Sequence, residues 1–225
     1  DAMRAAIAAY RAEGCPMVSH TEAYRRAYAP AYRVVSERFA RYAALFEAAA
    51  RLPEGAIFAL DGMCASGKTS LSNALGFVFR APVFHMDDFF LPAEKRTKER
   101  LSEVGGNVDR ERFLSEVLLP LREGKSVDYR RFDCASFTVA PPERIEPGRL
   151  NVVEGAYAMH PDLAPYYDLT VFLAISPEKQ RERILKRNAP AHAKQFFDRW
   201  IPLEQRYFDA LDVKMRCDLI LPADG

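Results

Sequence analysis

The stretch Gly62-Met63-Cys64-Ala65-Ser66-Gly67-Lys68-Thr69 constrains the fold of this chain more than any other. It fits G-x-x-x-x-G-K-[ST] in full, with the apolar run Ala56–Leu60 before it and a helix-compatible segment after it. A glycine turn set between a buried strand and a helix is a cradle for phosphate. The glycines let backbone N–H groups converge on an anion without a Cβ in the way. The helix that begins there aims its positive end at the same anion. Lys68 adds a cation within reach of outer phosphates, and the Thr69 hydroxyl is an oxygen ligand suited to Mg²⁺. Ser70 extends the polar run. The expected nucleotide contacts are therefore Gly62, Cys64, Ala65, Ser66, Gly67, Lys68, Thr69 and Ser70, with Cys64 a small filler of the loop and not a reactive thiol.

The rest of the pattern suits such a turn. Short apolar runs at 82–86, 150–153, 169–175 and 218–221 alternate with helical spacing at 68–79, 109–122, 177–188 and 192–213. That predicts an α/β fold, a P-loop NTPase-type parallel sheet flanked by helices. Residues 3–50 are rich in Ala, Arg and Tyr. Val34, Val35, Phe39, Tyr42, Leu45 and Phe46 recur there at helical intervals, and Pro16 and Pro30 divide the region into about three helices. Pro53 and Gly55 mark a boundary, so the expected organisation is an N-terminal helical extension over 1–52 and the P-loop domain over 53–225. The charged stretch 91–107, which ends in Gly105-Gly106, reads as a mobile loop. The segment Trp200-Ile201-Pro202-Leu203-Glu204-Gln205-Arg206-Tyr207-Phe208 reads as an amphipathic helix docked on the core, with a share in the substrate pocket as the alternative.

Composition narrows the partners. Lys and Arg number 32 against 31 Asp and Glu, which gives no bulk electrostatic case for nucleic acid or acidic membranes. No apolar run approaches the roughly eighteen residues of a membrane span. The N-terminal segment is broken by charges, unlike a signal peptide, and Met3 is read as the natural start. Cysteines 15, 64, 134 and 217 and histidines 20, 85, 160 and 192 are scattered without metal-ligand spacing. A reduced, cytoplasmic protein is the expectation.

A phosphate cradle names a nucleotide and not a reaction. A hydrolase needs a positioned water; a kinase needs an acceptor pocket and usually a carboxylate to take the acceptor's proton. The second strand ends in Met86-Asp87-Asp88-Phe89-Phe90, and strand ends at the carboxyl edge of such a sheet face the ligand crevice. Adjacent acids there are costly without a cation or a proton to receive, although an Asp can also cap a turn. The third strand ends in Val153-Glu154-Gly155. Glu154 could hold Mg²⁺ through water, position an acceptor, or pair with a nearby base.

These motifs together resemble the uridine kinase group of P-loop kinases, which includes phosphoribulokinase, pantothenate kinase and nicotinamide riboside kinase. The resemblance covers about residues 55–222. It rests on residues 62–69, 86–90, Asn107-Val108-Asp109, Gly124-Lys125-Ser126-Val127 with Arg131-Phe132-Asp133, and Val153-Glu154-Gly155. It implies an ATP- and Mg²⁺-dependent transfer to a small-molecule hydroxyl, with a nucleoside or riboside as acceptor. Asp87 matches the general base and Asp109 a binder of sugar hydroxyls. Phe132 and Asp133 match an aromatic–Asp pair of the acceptor site, and Glu154 an acid near Mg²⁺ and substrate. Arg181, Arg183 and Arg187 match a lid that closes arginines over the phosphates, where forked donors suit the charge of the transferring group. Phe137 stands where nucleoside-specific members carry a base-reading His, which puts uridine or cytidine in question. The alternative is a nucleotide-dependent switch or assembly NTPase with the N-terminal helices as a partner-binding module. Those helices are also expected to pack on the core and to support a homodimer.

Overall fold

The structure is a computed structural model and describes residues 2–13, 21–29 and 40–223. The chain divides into two units, residues 1–40 and 41–225. In the first, helices α1 (Ala2–Ala12) and α2 (Glu22–Tyr28) are described. The Thr21 hydroxyl caps α2 by accepting from Tyr24 N at 3.2 Å. Pro16, Pro30, Val34, Val35 and Phe39 of the expected helical pattern lie outside the described residues.

The second unit opens with α3 (Ala43–Ala50), which buries Leu45 and Ala49. Arg149 donates to Ala50 O at 2.7 Å and Leu52 O at 3.1 Å, so it satisfies carbonyls that the end of α3 leaves open. Five strands follow in one sheet: β1 (Ala56–Gly62), β2 (Val83–His85), β7 (Leu150–Glu154), β8 (Leu169–Ala174) and β9 (Leu219–Pro222). They pair in the order β2-β7-β1-β8-β9, all parallel. Every residue of β1 and β7 is buried. That is why these segments are near-continuous apolar runs: both faces of a central parallel strand are covered. Burial of Ile57, Phe58 and Leu60 contributes about 1.5–3 kcal/mol each.

The helices cover the sheet. α4 (Lys68–Phe79) starts at the loop after β1. The segment expected as one helix over 109–122 is α6 (Arg110–Phe113) and α7 (Leu119–Arg122) joined by a π-helical turn, Leu114–Leu118. The segment over 192–213 is likewise α9 (Pro190–Gln195), a π turn at Phe196–Trp200, α10 (Ile201–Ala210) and α11 (Val213–Arg216). In both, the π turn stands directly before a Pro at the start of the next helix, where the missing N–H breaks the regular ladder. α8 (Pro177–Arg187) is capped by Ser176.

Stretch 91–107 carries more structure than a plain loop. It holds a 3₁₀ turn at Ala93–Lys95 and α5 (Lys98–Ser102), and Arg100 ties it to Glu111 and to Val108 O. Two short antiparallel ladders also form, β3 (Val127–Tyr129) with β6 (Glu143–Ile145) and β4 (Phe132–Asp133) with β5 (Thr138–Val139). At two or three residues each, they are too brief to leave a period-2 signal.

A tight point at the head of the phosphate loop is Gly62, at φ 142°, where an added Cβ would lie 2.4 Å from Leu173 O. β1 can pass into its loop beside β8 only without a side chain there. Gly62→Ala is expected to destabilise by about 2–4 kcal/mol and to lower the thermal midpoint by roughly 5–15 °C. A calorimetric midpoint within about 2 °C of the parent would contradict this.

Candidate active site

Residues 62–69 wrap over the carboxyl end of β1 and run into α4. Gly67 has φ 100° with open space where a Cβ would stand, and Ala65 is also left-handed at φ 60°. The first N–H groups of α4 have no partner within the helix and face the turn. Ser66 Oγ is buried without a hydrogen-bond partner. An open concavity rimmed by N–H donors, with an orphan hydroxyl beneath it, fits a polyphosphate. Lys68 Nζ donates to Gly62 O at 2.7 Å and Met63 O at 3.0 Å, which holds its charge at the mouth of the loop. Cys64 is half-buried, and burial with the nearby Glu204 pushes its thiol up to about 12, so it is inert filler.

The acids at the strand ends take separate parts. Thr69 Oγ1 donates to Glu154 Oε1 at 3.1 Å, and His85 Nδ1 lies 2.6 Å from the same oxygen. That hydrogen bond raises the His85 pKa above its ordinary value against the opposing effect of burial. Asp88 is committed to the scaffold. Its Oδ2 accepts from Tyr129 Oη at 2.7 Å, and Tyr129 in turn accepts from His85 N. Asp87 stands open to solvent in the cleft mouth, yet the walls crowd it. Desolvation, then the charges of Glu154 and Asp88, raise its pKa, while Lys68 and His85 pull it back.

A cavity of about 360 Å³ joins these groups, running from the loop past Asp87 and Glu154 to Trp200 and Glu204. α10 supplies a further wall, fastened to the loop itself. Glu204 is 8% exposed, and its Oε2 accepts from Cys64 N at 2.9 Å. One turn on, Tyr207 Oη donates to the buried Asp61 at 2.8 Å. The segment 200–208 thus does both things its sequence allows: Tyr207 and Phe208 enter the core, while Trp200 and Glu204 line the cleft.

Of the expected site residues, Cys64, Ala65, Gly67, Lys68, Thr69, Ser70, Asp87, Glu154 and Arg187 line this cavity. Arg183 lies behind the loop and donates to the carbonyls of Ala65, Ser66 and Ala223. Asp109 is buried, with its carboxylate on Lys95 Nζ at 2.8 Å and on Arg112 N at the start of α6. Phe132 is buried edge-on to Phe137, and Asp133 accepts from Ala135 N and Ser136 Oγ in its own turn. Neither Phe132 nor Asp133 is on the cavity wall. Among the described residues no group of three or more His, Cys, Asp or Glu is gathered to hold a metal ion. No helix there is long and apolar enough to cross a membrane.

Residues 57–191 match the model of the phosphoribulokinase / uridine kinase family. The chain belongs to that family. It is 24% identical over 184 residues to uridine kinase-like protein 4 of Arabidopsis thaliana, a match that spans 75% of this chain and 39% of that relative. The structure superposes on that of a possible uridine kinase from Bacillus stearothermophilus with TM-score 0.63 at 20% identity, covering 81% of this chain and 97% of the other. At that identity the likeness is one of fold: the P-loop kinase sheet with its flanking helices.

Within this family fold, Asn107, Tyr157 and Glu204 are cavity residues that pattern reading passed over. Asn107 belongs to Asn107-Val108-Asp109 and Glu204 to the amphipathic segment 200–208, but only tertiary packing turns them inward. Tyr157, two residues past Gly155, carries no sequence signal.

The His85–Glu154 contact gives a signed pH prediction. A raised folded pKa means that the protonated ring is preferred in the fold. The contact's stabilisation is therefore complete below about 6.5 and is lost as pH rises through the folded value. His160 is shifted the other way, lowered by burial and by Arg110. NMR titration should place the His85 midpoint above 6.5 and that of His160 below it, with Glu154→Gln returning His85 towards 6.5. A His85 midpoint at or below that of His160 would contradict the geometry.

Proposed function

We propose that the protein moves the γ-phosphoryl group of ATP to a hydroxyl of a small molecule. The observation that carries this is the placing of Asp87, a carboxylate without a hydrogen-bond partner among the described residues, in one cavity with Lys68 and the phosphate cradle. A switch or assembly NTPase needs no such base beside a walled acceptor space. The other acids at this edge are spoken for, Asp88 by Tyr129 and Glu154 by His85 and Thr69.

In this reading the loop N–H groups and Lys68 hold the ATP phosphates. Thr69 and Glu154 are oxygen donors of the kind Mg²⁺ accepts, with its other positions left to water and phosphate. Mg²⁺ would supply charge neutralisation there. Asp87 accepts the proton of the acceptor hydroxyl as the new O–P bond forms and the bond from γ-phosphorus to the bridging oxygen breaks, leaving ADP. Crowding by the cleft walls and the charges of Glu154 and Asp88 make Asp87 a stronger base than an isolated carboxylate. Arg187, on the cavity wall, offsets charge on the transferring group. Arg183 acts one step back, by bracing the carbonyl side of the loop. The family includes nucleoside kinases, so a nucleoside or riboside is the first acceptor class to compare.

Lys68→Ala is expected to remove turnover. Asp87→Asn is expected to lower kcat by about 10²-fold or more while the affinity for a fluorescent ATP analogue changes by less than about threefold. Steady-state kinetics beside an equilibrium titration separates the two. Near-parental kcat in Asp87→Asn would remove Asp87 as the base.

A further inference from the structure

The cavity wall carries two polar groups whose hydrogen-bonding capacity the fold leaves largely unused. The Asn107 amide nitrogen and the Tyr157 hydroxyl are both buried, both without a hydrogen-bond partner, and both on the cavity wall. They face each other, and Asn107 works against the burial that raises the Tyr157 pKa, yet neither atom reaches a partner at full hydrogen-bonding geometry among the described residues. Leaving a buried donor unpaired is costly, because the desolvation of the group is not repaid. Tyr157 also sits at φ 75°, a strained conformation for a non-glycine residue. Its position is imposed from below. Gly155 at φ 137° leaves room for Met86, whose Cβ is 2.7 Å from where a Gly155 Cβ would be, and the Tyr157 ring packs 4.8 Å from that of Tyr207. A strained, 6% exposed tyrosine with an idle hydroxyl at a cavity wall is the mark of a ligand contact and not of packing.

Glu204 adds a hydrogen-bond acceptor on the same wall, and a carboxylate can take about four hydrogen bonds, more than its one from Cys64 N. Idle donors beside an acceptor complement hydroxyl groups, each of which gives and takes. Phe90 and Trp200, with ring centroids 6.1 Å apart, add apolar faces for the C–H side of such a molecule. The residues matched to nucleoside binding are engaged elsewhere: Asp109 with Lys95 and the start of α6, Asp133 in its own turn, and Phe137 half-exposed against Phe132. An anionic acceptor is also disfavoured. The cations lining the cavity are Lys68 and Arg187, and its acceptor side presents Asp87 and Glu204.

We propose that Asn107, Tyr157 and Glu204 form the acceptor-recognition subsite, and that the acceptor is a compact neutral polyhydroxylated molecule, a sugar or polyol with neither nucleobase nor phosphate. This rests on the phosphotransfer reading above and narrows it.

The test uses the full chain with ATP and Mg²⁺ and reads acceptor-dependent ADP release. The acceptors are ribose, fructose and myo-inositol, against uridine and ribose 5-phosphate. Trp200 is the single tryptophan of the chain, so its fluorescence reports acceptor binding without turnover. A neutral polyol is expected both to stimulate ADP release and to shift Trp200 emission. Tyr157→Phe, which removes one oxygen, should raise the KM for that polyol about tenfold to a hundredfold with kcat changed far less. Asn107→Ala provides an independent variant of the same subsite with the same expected split. Preference for uridine or ribose 5-phosphate would overturn the inference and leave phosphotransfer standing. Failure of every compound to raise ADP release would overturn both. A polyol KM unchanged in both folded variants would overturn the subsite.

Discussion

The site is built around one buried carboxylate. Asp61, the penultimate residue of β1, accepts from Gly62 N at 2.6 Å, Met159 N at 2.9 Å and Tyr207 Oη at 2.8 Å. Those donors come from the start of the phosphate loop, from the segment after β7 and from α10. Burial pushes the Asp61 carboxyl up to about 6, and these three hydrogen bonds, together with the nearby charge of Lys68, hold it from rising further. A charge is tolerated here because every segment that approaches supplies a donor. The same contacts bring nucleotide loop and acceptor wall to one point. Three residues before Tyr207, one turn along the same helix face, Glu204 reaches Cys64 N. α10 is thereby fastened to the loop at two places, and the space between them is the cavity.

In the proposed reading, that arrangement explains why donor and acceptor functions would occupy different parts of the chain. The phosphate cradle is local: its glycines, lysine and threonine are contiguous, and the helix they open carries the dipole with it. The wall proposed for the acceptor is assembled from distant segments at Asp87, Asn107, Tyr157, Trp200 and Glu204. Their convergence depends on the carboxyl edges of β2, β7 and β1 lying side by side and on α10 crossing above them. A carboxylate on such an edge either meets a partner from the fold or waits for one from solution. Asp88 and Glu154 are of the first kind, Asp87 of the second.

The same division governs what was legible in the sequence. β1, β7 and β8 announce themselves because strands buried on both faces must be apolar throughout, and residues 62–69 because each position has its own chemical reason. The breaks in the helices over 109–122 and 192–213 were signalled by Pro120 and Pro202, which spacing alone passes over. Asp109 shows the limit most clearly. Its place in a motif suggests sugar binding, but a sequence does not reveal that Lys95 and the N–H of Arg112 hold its carboxylate inside the protein. Tyr157 shows the converse: its position follows from a left-handed backbone after Gly155, a three-dimensional fact without a residue pattern.

The central claim is that the phosphoryl group passes to a carbon-bound hydroxyl and not to water. ³¹P NMR of the full chain with ATP, Mg²⁺ and a mixture of neutral polyols and nucleosides tests it most directly. The account predicts a phosphomonoester resonance that grows one for one with ADP. Inorganic phosphate as the sole product beside ADP would contradict it.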